Sequence, residues 1–314
     1  MTELVSVVIP TYNYGRFVTE AVASVLAQTY REVEVIVVDD GSTDNTRERL
    51  APFMDRIRYI HQANQGLSAA RNAGIQAARG RWVALLDSDD AWHPRKLEMQ
   101  LAYLDTHVDV ALLGTASTFD FGTSWPDIDP LADRTAVPVT LADVVFTTHF
   151  APSSVVMRKE CFERVGLFDP ELRSAEDRDM WIRVACHYQM ARLDLPLCGY
   201  RFHGSNMVTV ADRMEVNELK MLRKAFAGIS LLRRRRLLRF KTFSYAYYNA
   251  TYRYSASRKW LKALDRFLRS FALWPMPYRR GEVDRSLARP RMLVVLLLRM
   301  LRLKQPETAA HVAT

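Results

Sequence analysis

Short apolar runs alternate with helix-periodic segments from residue 5 to residue 90, and this alternation constrains the fold more than any other feature. Strands separated by helices join as a parallel sheet with helices laid on its faces. Residues 5–9 read as a β-branched strand ended by Pro10. Phe17, Val18, Ala21, Val22, Val25 and Leu26 then recur at helical spacing, and residues 33–38 form a second strand. Asp39-Asp40-Gly41-Ser42-Thr43-Asp44 is a turn leading into a helix start rich in capping residues. Residues 57–60 read as a third strand, 69–78 as a helix closed by Gly80, and 82–86 as a fourth strand. Pro94 begins another helix, and residues 110–113 form a fifth strand.

Residues 115–138 are polar, proline-containing and irregular. A loop of that length inside a compact domain is usually functional or mobile. Strand character resumes at 154–157, residues 175–187 form a helix opening on Glu176 and Asp177, and 191–202 supply one or two further strands. Beyond Asp212 the chain is helical, rich in Arg and Leu, and without a strand signal. No internal repeat interrupts this order.

The chemistry concentrates where the fourth strand ends. Trp82-Val83-Ala84-Leu85-Leu86 runs straight into Asp87-Ser88-Asp89-Asp90, so three carboxylates stand at a sheet edge, where α/β proteins hold ligands. Carboxylates this close repel one another unless a cation lies between them. Oxygen ligands with spare coordination positions suit Mg²⁺ or Mn²⁺ bridging to a phosphate-bearing substrate. Taken alone, such a cluster is more often an acidic turn after a strand.

Apolar residues make up 49% of the chain and charged residues 25%, which places it among globular rather than disordered proteins. Cys161, Cys186 and Cys198 fit neither a disulfide framework nor a paired zinc pattern, and read as reduced thiols of a cytosolic protein. The N-terminus is a strand, without the basic start and long apolar core of a signal peptide. No window holds the roughly 18 uninterrupted apolar residues that a spanning helix needs. The net charge of +9 hides a division: residues 213–314 carry 24 Lys+Arg against 6 Asp+Glu, whereas residues 1–212 carry 20 against 29. That asymmetry predicts two parts, the second meeting an anionic partner.

Several segments in order carry a resemblance. Val5-Ser6-Val7-Val8-Ile9-Pro10-Thr11-Tyr12-Asn13, Ser24-Val25-Leu26-Ala27-Gln28-Thr29-Tyr30 and Val37-Val38-Asp39-Asp40-Gly41-Ser42-Thr43-Asp44 come first. Asn64-Gln65-Gly66-Leu67-Ser68-Ala69-Ala70-Arg71-Asn72 and the Asp87 to Asp90 cluster follow. Glu176-Asp177-Arg178-Asp179-Met180-Trp181 and Tyr200-Arg201-Phe202-His203 complete the set. Over its first two thirds the chain resembles the family 2 glycosyltransferases, inverting enzymes with the GT-A fold. The resemblance implies an α/β fold with a Rossmann-like mixed sheet and helices on both faces over residues 1–212, to which 213–314 add an all-helical basic extension.

The same resemblance implies the site. The Pro10-Thr11-Tyr12-Asn13 loop would lie against the nucleotide, with the Tyr12 ring available for stacking on the base. Asp40 would accept a hydrogen bond from a uracil-type base while Asp39 points elsewhere; the competing role for both is helix capping. Arg71 would reach the base edge or the diphosphate, or else sit on a solvated helix face. Asp89 would ligate Mn²⁺ or Mg²⁺, Asp87 would contact the ribose with Ser88 beside it in the donor motif, and Asp90 would brace the loop. His203 matches a position that helps hold metal or diphosphate, against the commoner structural role of a lone histidine. Asp177 would be the general base that inversion requires, flanked by Glu176 and Asp179 at a helix start and anchored by Trp181 and Ile182.

The implied activity is transfer from a nucleotide-diphosphate donor, most readily a UDP-sugar, to a hydroxyl of a saccharide or lipid-linked acceptor. The alternatives are a polyprenyl-phosphate acceptor, or a non-catalytic membrane adaptor that keeps the nucleotide fold. For residues 213–314, basic amphipathic segments predict contact with an anionic membrane surface, hence a cytoplasmic protein peripheral on the inner face of the cell membrane. Helices packed on one another with solvated arginines are the competing reading. Nucleic acid is not predicted, because no nucleic-acid module accompanies the charge.

Overall fold

The computed structural model describes residues 3–118, 125, 128, 136–201, 203, 210–278 and 288–300. The chain divides into two compact units, residues 1–203 and 204–314.

In chain order the first unit contains β1 (Val5–Thr11), α1 (Gly15–Leu26), β2 (Val33–Asp39), α2 (Thr46–Leu50), β3 (Arg58–His61), α3 (Leu67–Ala77), β4 (Trp82–Leu85) and β5 (Ala91–Trp92). Then come α4 (Lys96–Thr106), β6 (Val110–Thr118), β7 (Ala136–Val139), α5 (Leu141–Phe146), β8 (Val156–Arg158), α6 (Lys159–Val165), α7 (Glu176–Ala185) and β9 (Gln189–Gly199). One mixed sheet runs in the order β3-β2-β1-β4-β8-β6-β9-β5, with β7 also on β9. The first four strands are parallel, β8 is antiparallel to both β4 and β6, and β6 is parallel to β9.

Register explains where the site falls. Val8 pairs with Leu85 while Thr11 pairs with Asp39, so β1, β2 and β4 finish on one edge of the sheet. Alternation then assigns the faces. Val5, Val7 and Ile9 pack with Val35, Val37, Trp82 and Ala84 into a core that also takes Val18, Val22 and Val25 of α1 and Leu97, Leu101 and Leu104 of α4. Val8 faces the other way, toward α3. There Gly74 is required, because a Cβ at that position would stand 2.3 Å from Val8 Cγ1. A glycine at this contact lets the helix lie directly on the strand.

Several sequence boundaries move. Pro10 does not end β1, which continues to Thr11 opposite Asp39. The carbonyl of Val8 accepts from Leu86 N, so Pro10, two residues on, turns its missing N–H toward the β4 side, beyond the last registered β4 pair. The strand read as 110–113 extends to Thr118 because β9 pairs with it through three register irregularities. It thus takes in the start of the segment read as a loop, and β7 takes its end; residues 119–124, 126–127 and 129–135 lie outside the described residues. β5, α5 and α6 were not anticipated, being too short to show a period.

The second unit comprises α8 (Ala211–Gly228), α9 (Ser230–Arg233), α10 (Arg236–Ala256), α11 (Trp260–Leu273) and α12 (Ala288–Met300). Among the described residues its acids form ion pairs inside it. Asp212 pairs with Lys259 and Lys262, Glu215 with Arg266, and Glu218 with Arg253. The buried Tyr254 hydroxyl donates to both Asp212 and Glu215. Helix α12 has two kinds of face: Met292 and Leu296 are buried, Val294 and Leu298 exposed. Among the described residues no helix is long and apolar enough to cross a membrane.

Candidate active site

The turn after β4 is clamped from two directions. Asp87 N donates to Ser153 Oγ at 3.0 Å, and the Ser153 hydroxyl donates to Asp90 Oδ2 at 2.5 Å. From the end of β9, Arg201 N donates to the other oxygen of Asp90 at 3.0 Å, and Arg201 Nε donates to the Asp89 carbonyl. Asp90 is buried, and burial together with the charges of Asp89 and Asp87 drives its pKa well above the ordinary carboxylate range. It braces the loop. Asp89 is raised as well, by burial and by Asp87, with His203 opposing. Ser88 is buried in the turn.

Asp89 Oδ2 and His203 Nε2 lie 3.0 Å apart. The imidazole is held by rings from α1 and the residue before it: it stacks on Phe17 at a centroid distance of 5.1 Å and meets Tyr14 edge-on at 5.6 Å. One carboxylate oxygen and one imidazole nitrogen thus stand together at the end of the sheet. Among the described residues no group of three His, Cys, Asp or Glu side chains could by itself hold a metal ion. Two protein donors with the remainder supplied by substrate phosphates is how Mg²⁺-type sites on diphosphates are built, so this donor set fits a divalent cation. A cation there would also relieve the mutual repulsion of Asp87, Asp89 and Asp90.

Arg71 joins this turn to the second acidic motif. It lies on α3 but is only 1% exposed, which corrects the solvated-face alternative. Nη2 donates to Asp87 Oδ1 at 2.6 Å, Nη1 donates to Glu176 Oε1 at 2.7 Å, and the guanidinium stands 5.5 Å from the Phe168 ring. Burial opposes its charge, but the two carboxylates outweigh burial and hold the guanidinium protonated. The Nε hydrogen has no partner among the described residues.

Glu176 and Asp177 begin α7 and divide their tasks by direction. Glu176 is buried on Arg71, whereas Asp177 is half-buried and accepts a hydrogen bond from Arg178 N at 2.7 Å. Burial, then the neighbouring charge of Glu176, push the Asp177 pKa up to about 7; the Arg178 N–H and Arg71 work against them. The chain enters this helix through Ala175 at φ 62°, a left-handed conformation that costs a non-glycine residue on the order of 1 kcal/mol. Trp181, fully buried with Phe150 and Phe168 edge-on at 6.3 Å each, anchors the helix below the carboxylates.

The remaining predicted residues fall at the ends of β1 and β2. Pro10 and Thr11 are buried in the strand, and the Thr11 hydroxyl has no partner among the described residues. Tyr12 is 46% exposed. Asn13, at φ 56°, accepts from Thr43 N at 2.8 Å and Asp44 N at 3.3 Å, while its own N–H donates to Ser42 Oγ. Asp40 is buried and accepts from Gln62 Nε2, Gln65 N and Gly66 N at 2.7–3.0 Å. Asp39 accepts from Ser42 N and the Tyr59 hydroxyl. Neither caps α2, which corrects the capping alternative. Asp44 instead receives Thr46 N at the start of that helix and Gly15 N at the start of α1.

Arg71, Asp87, Glu176 and Asp177 therefore form one cluster, and Asp89, on the same turn as Asp87, forms another with His203, which follows β9. Sequence reasoning missed Ser153, Phe17 and the inward role of Glu176. Phe17 read as part of the apolar face of a helix, and Ser153 carries no local signal at all.

Comparison with known proteins bears on the family and the fold. A family model described as Glycosyl transferase family 2 matches residues 6–166. The chain is 36% identical over 221 residues, 64% of its length, to an uncharacterized glycosyltransferase of Nostoc sp.. It spans 66% of that relative and 33% of longer curated relatives. Residues 1–349 of TarS from S. aureus, solved with UDP-GlcNAc, superpose with a TM-score of 0.56 at 20% identity over 88% of this chain and 93% of that one. The mannosyltransferase PcManGT from Pyrobaculum calidifontis, solved with GDP-Man and Mn²⁺, gives 0.61 at 17% identity over 97% and 89%.

Proposed function

The chain belongs to glycosyl transferase family 2, and from that membership we propose that it is an inverting hexosyltransferase. In this reading a sugar passes from a nucleotide diphosphate, a UDP-sugar in the first instance, to a hydroxyl of a saccharide or lipid-linked acceptor. The observation that carries the reading is the Arg71 bridge. One guanidinium holds Asp87, on the donor turn, and Glu176, beside the base, so the two halves of a transfer site are built against one another. The donors in the two structural relatives, UDP-GlcNAc and GDP-Man, support a nucleotide-sugar donor, and the Mn²⁺ in one of them supports a divalent cation.

The chemistry then assigns roles. Tyr12 offers its exposed ring to the base, Asp40 and Asp87 supply carboxylates for base and ribose, and the loop organised by Asn13 shapes the rim of the pocket. Asp177, poised near neutral pH, accepts the proton of the acceptor hydroxyl as that oxygen attacks the anomeric carbon. The bond from that carbon to the diphosphate oxygen breaks as the new C–O bond forms on the opposite face, which inverts the centre. Asp89 and His203 would hold Mn²⁺ or Mg²⁺, whose chemistry is to neutralise charge on the departing diphosphate. Arg71 keeps Glu176 off Asp177 and Asp87 in position. Residues 213–314 hold the protein at the anionic inner face of the membrane, where a lipid-linked acceptor is presented.

A screen of UDP- and GDP-sugars for Mn²⁺-dependent turnover tests this. The wild-type chain should turn over at least one donor, and Asp177→Asn should lose turnover while still binding that donor. Full turnover by Asp177→Asn would overturn the assignment of the base.

A further inference from the structure

The corner between α9 and α10 is used by nothing in the transfer site. From residue 219 to residue 264 the sequence holds 13 Lys+Arg and no Asp or Glu. The acids of α8 neutralise Arg253, Lys259 and Lys262. They do not reach Arg233, Arg234, Arg235, Arg236 and Arg239. These five are exposed, and among the described residues none of them has an ion pair; Arg233 Nε donates to the Ala227 carbonyl, and Arg239 lies over the Phe243 ring.

Large apolar side chains stand among them. Leu231 is 54% exposed, Leu237 72% and Phe240 48%. Leu237 and Phe240, three apart on α10, share one side of the helix. Leu232, inside the same corner, is fully buried, so the segment is anchored while its neighbours stay in water. Apolar groups left exposed at a folded corner and ringed by unpaired arginines mark an interaction surface.

We propose that this corner is a membrane-docking wedge: Leu231, Leu237 and Phe240 enter the interfacial layer of a bilayer, and the five arginines bind the phosphates of anionic headgroups. The proposal deepens the membrane reading of residues 213–314 and rests on it. Charge complementarity and the apolar residues together select the occupant. A nucleic-acid backbone would satisfy the arginines but leave two leucines in water. A second copy of the chain would bring five like charges against five. Only a bilayer interface answers both features at once.

The test is vesicle co-sedimentation of the full chain on phosphatidylcholine with and without phosphatidylglycerol, at low and high salt. The wild type should bind only the phosphatidylglycerol vesicles, and less as salt rises. Changing Arg233, Arg234, Arg235 and Arg236 to Gln should cut partitioning several hundredfold, at about fivefold per arginine near an anionic surface. Leu231, Leu237 and Phe240 changed to Ser should cut it about tenfold or more, with the melting temperature unchanged because all three are exposed. No wild-type binding would overturn the membrane reading and the wedge with it. Wild-type binding that both variants retain would overturn the wedge alone. Loss in the arginine variant but not in the serine variant, with equally tight binding of RNA by the wild type, would replace the wedge with a polyanion site.

Discussion

Replacing Asp177 by Asn removes the proposed proton acceptor and, with it, a charge that the fold accommodates poorly. The carboxyl is pushed up to about 7 from an ordinary value of 3.8 by burial and by Glu176. Between those two values the native state keeps a proton that the unfolded chain has released, so stability falls as pH rises through the window. Three pH units at about 1.36 kcal/mol each set a ceiling of about 4 kcal/mol on the cost of the ionised form above pH 7. Because the side chain is half-buried rather than sealed, solvent brings the expected cost to about 2–3 kcal/mol. Asn has nearly the same shape, keeps an oxygen for Arg178 N and carries no charge. Asp177→Asn should therefore be inactive in transfer yet more stable than wild type by about 2–3 kcal/mol near pH 8, with the gain nearly gone near pH 4. Urea unfolding followed by tryptophan fluorescence, without donor or metal, reads this directly. Equal or lower stability at the higher pH, or a gain that does not shrink on acidification, would refute the desolvated-base argument.

Other substitutions separate the parts of the site. Arg71→Met leaves Glu176 buried without its cation and should cost about 3–5 kcal/mol in urea unfolding at neutral pH. The same change removes a charge that lowers the Asp177 pKa, so the acid limb of any pH–rate profile should move to higher pH. Asp89→Asn should weaken nucleotide binding in Mn²⁺ at least tenfold by calorimetry without lowering the melting temperature, since it relieves crowding with Asp87 and Asp90; undiminished Mn²⁺-dependent affinity would remove Asp89 as a ligand. Gly74→Ala drives a methyl into Val8 and should destabilise by about 1–3 kcal/mol in thermal unfolding, with no effect expected if α3 can lift off β1.

How far each feature was legible follows from how local its cause is. β1, β2 and β4 are apolar runs bounded by turn residues, and α1 and α7 carry their period or their acidic start within one segment, so reading along the chain finds them. β5 spans two residues and α5 six, too few for any period. The far half of β6 is polar, and only its partner β9 makes it a strand. Arg71 shows the same limit in the site. An arginine in an alanine-rich helix reads equally as ligand contact or solvated face, because the carboxylates that claim it come from the turn after β4 and the start of α7.

The sequence by itself determined the family and the α/β order, because these rest on motifs and periods written in consecutive residues. It also settled the charge division, which needs only counting. Tertiary structure alone decided that Glu176 turns to Arg71, that Asp89 meets His203 against Phe17, and that Asp177 titrates near neutrality. Each of those depends on distance and desolvation between segments far apart in the chain, and no local pattern encodes either.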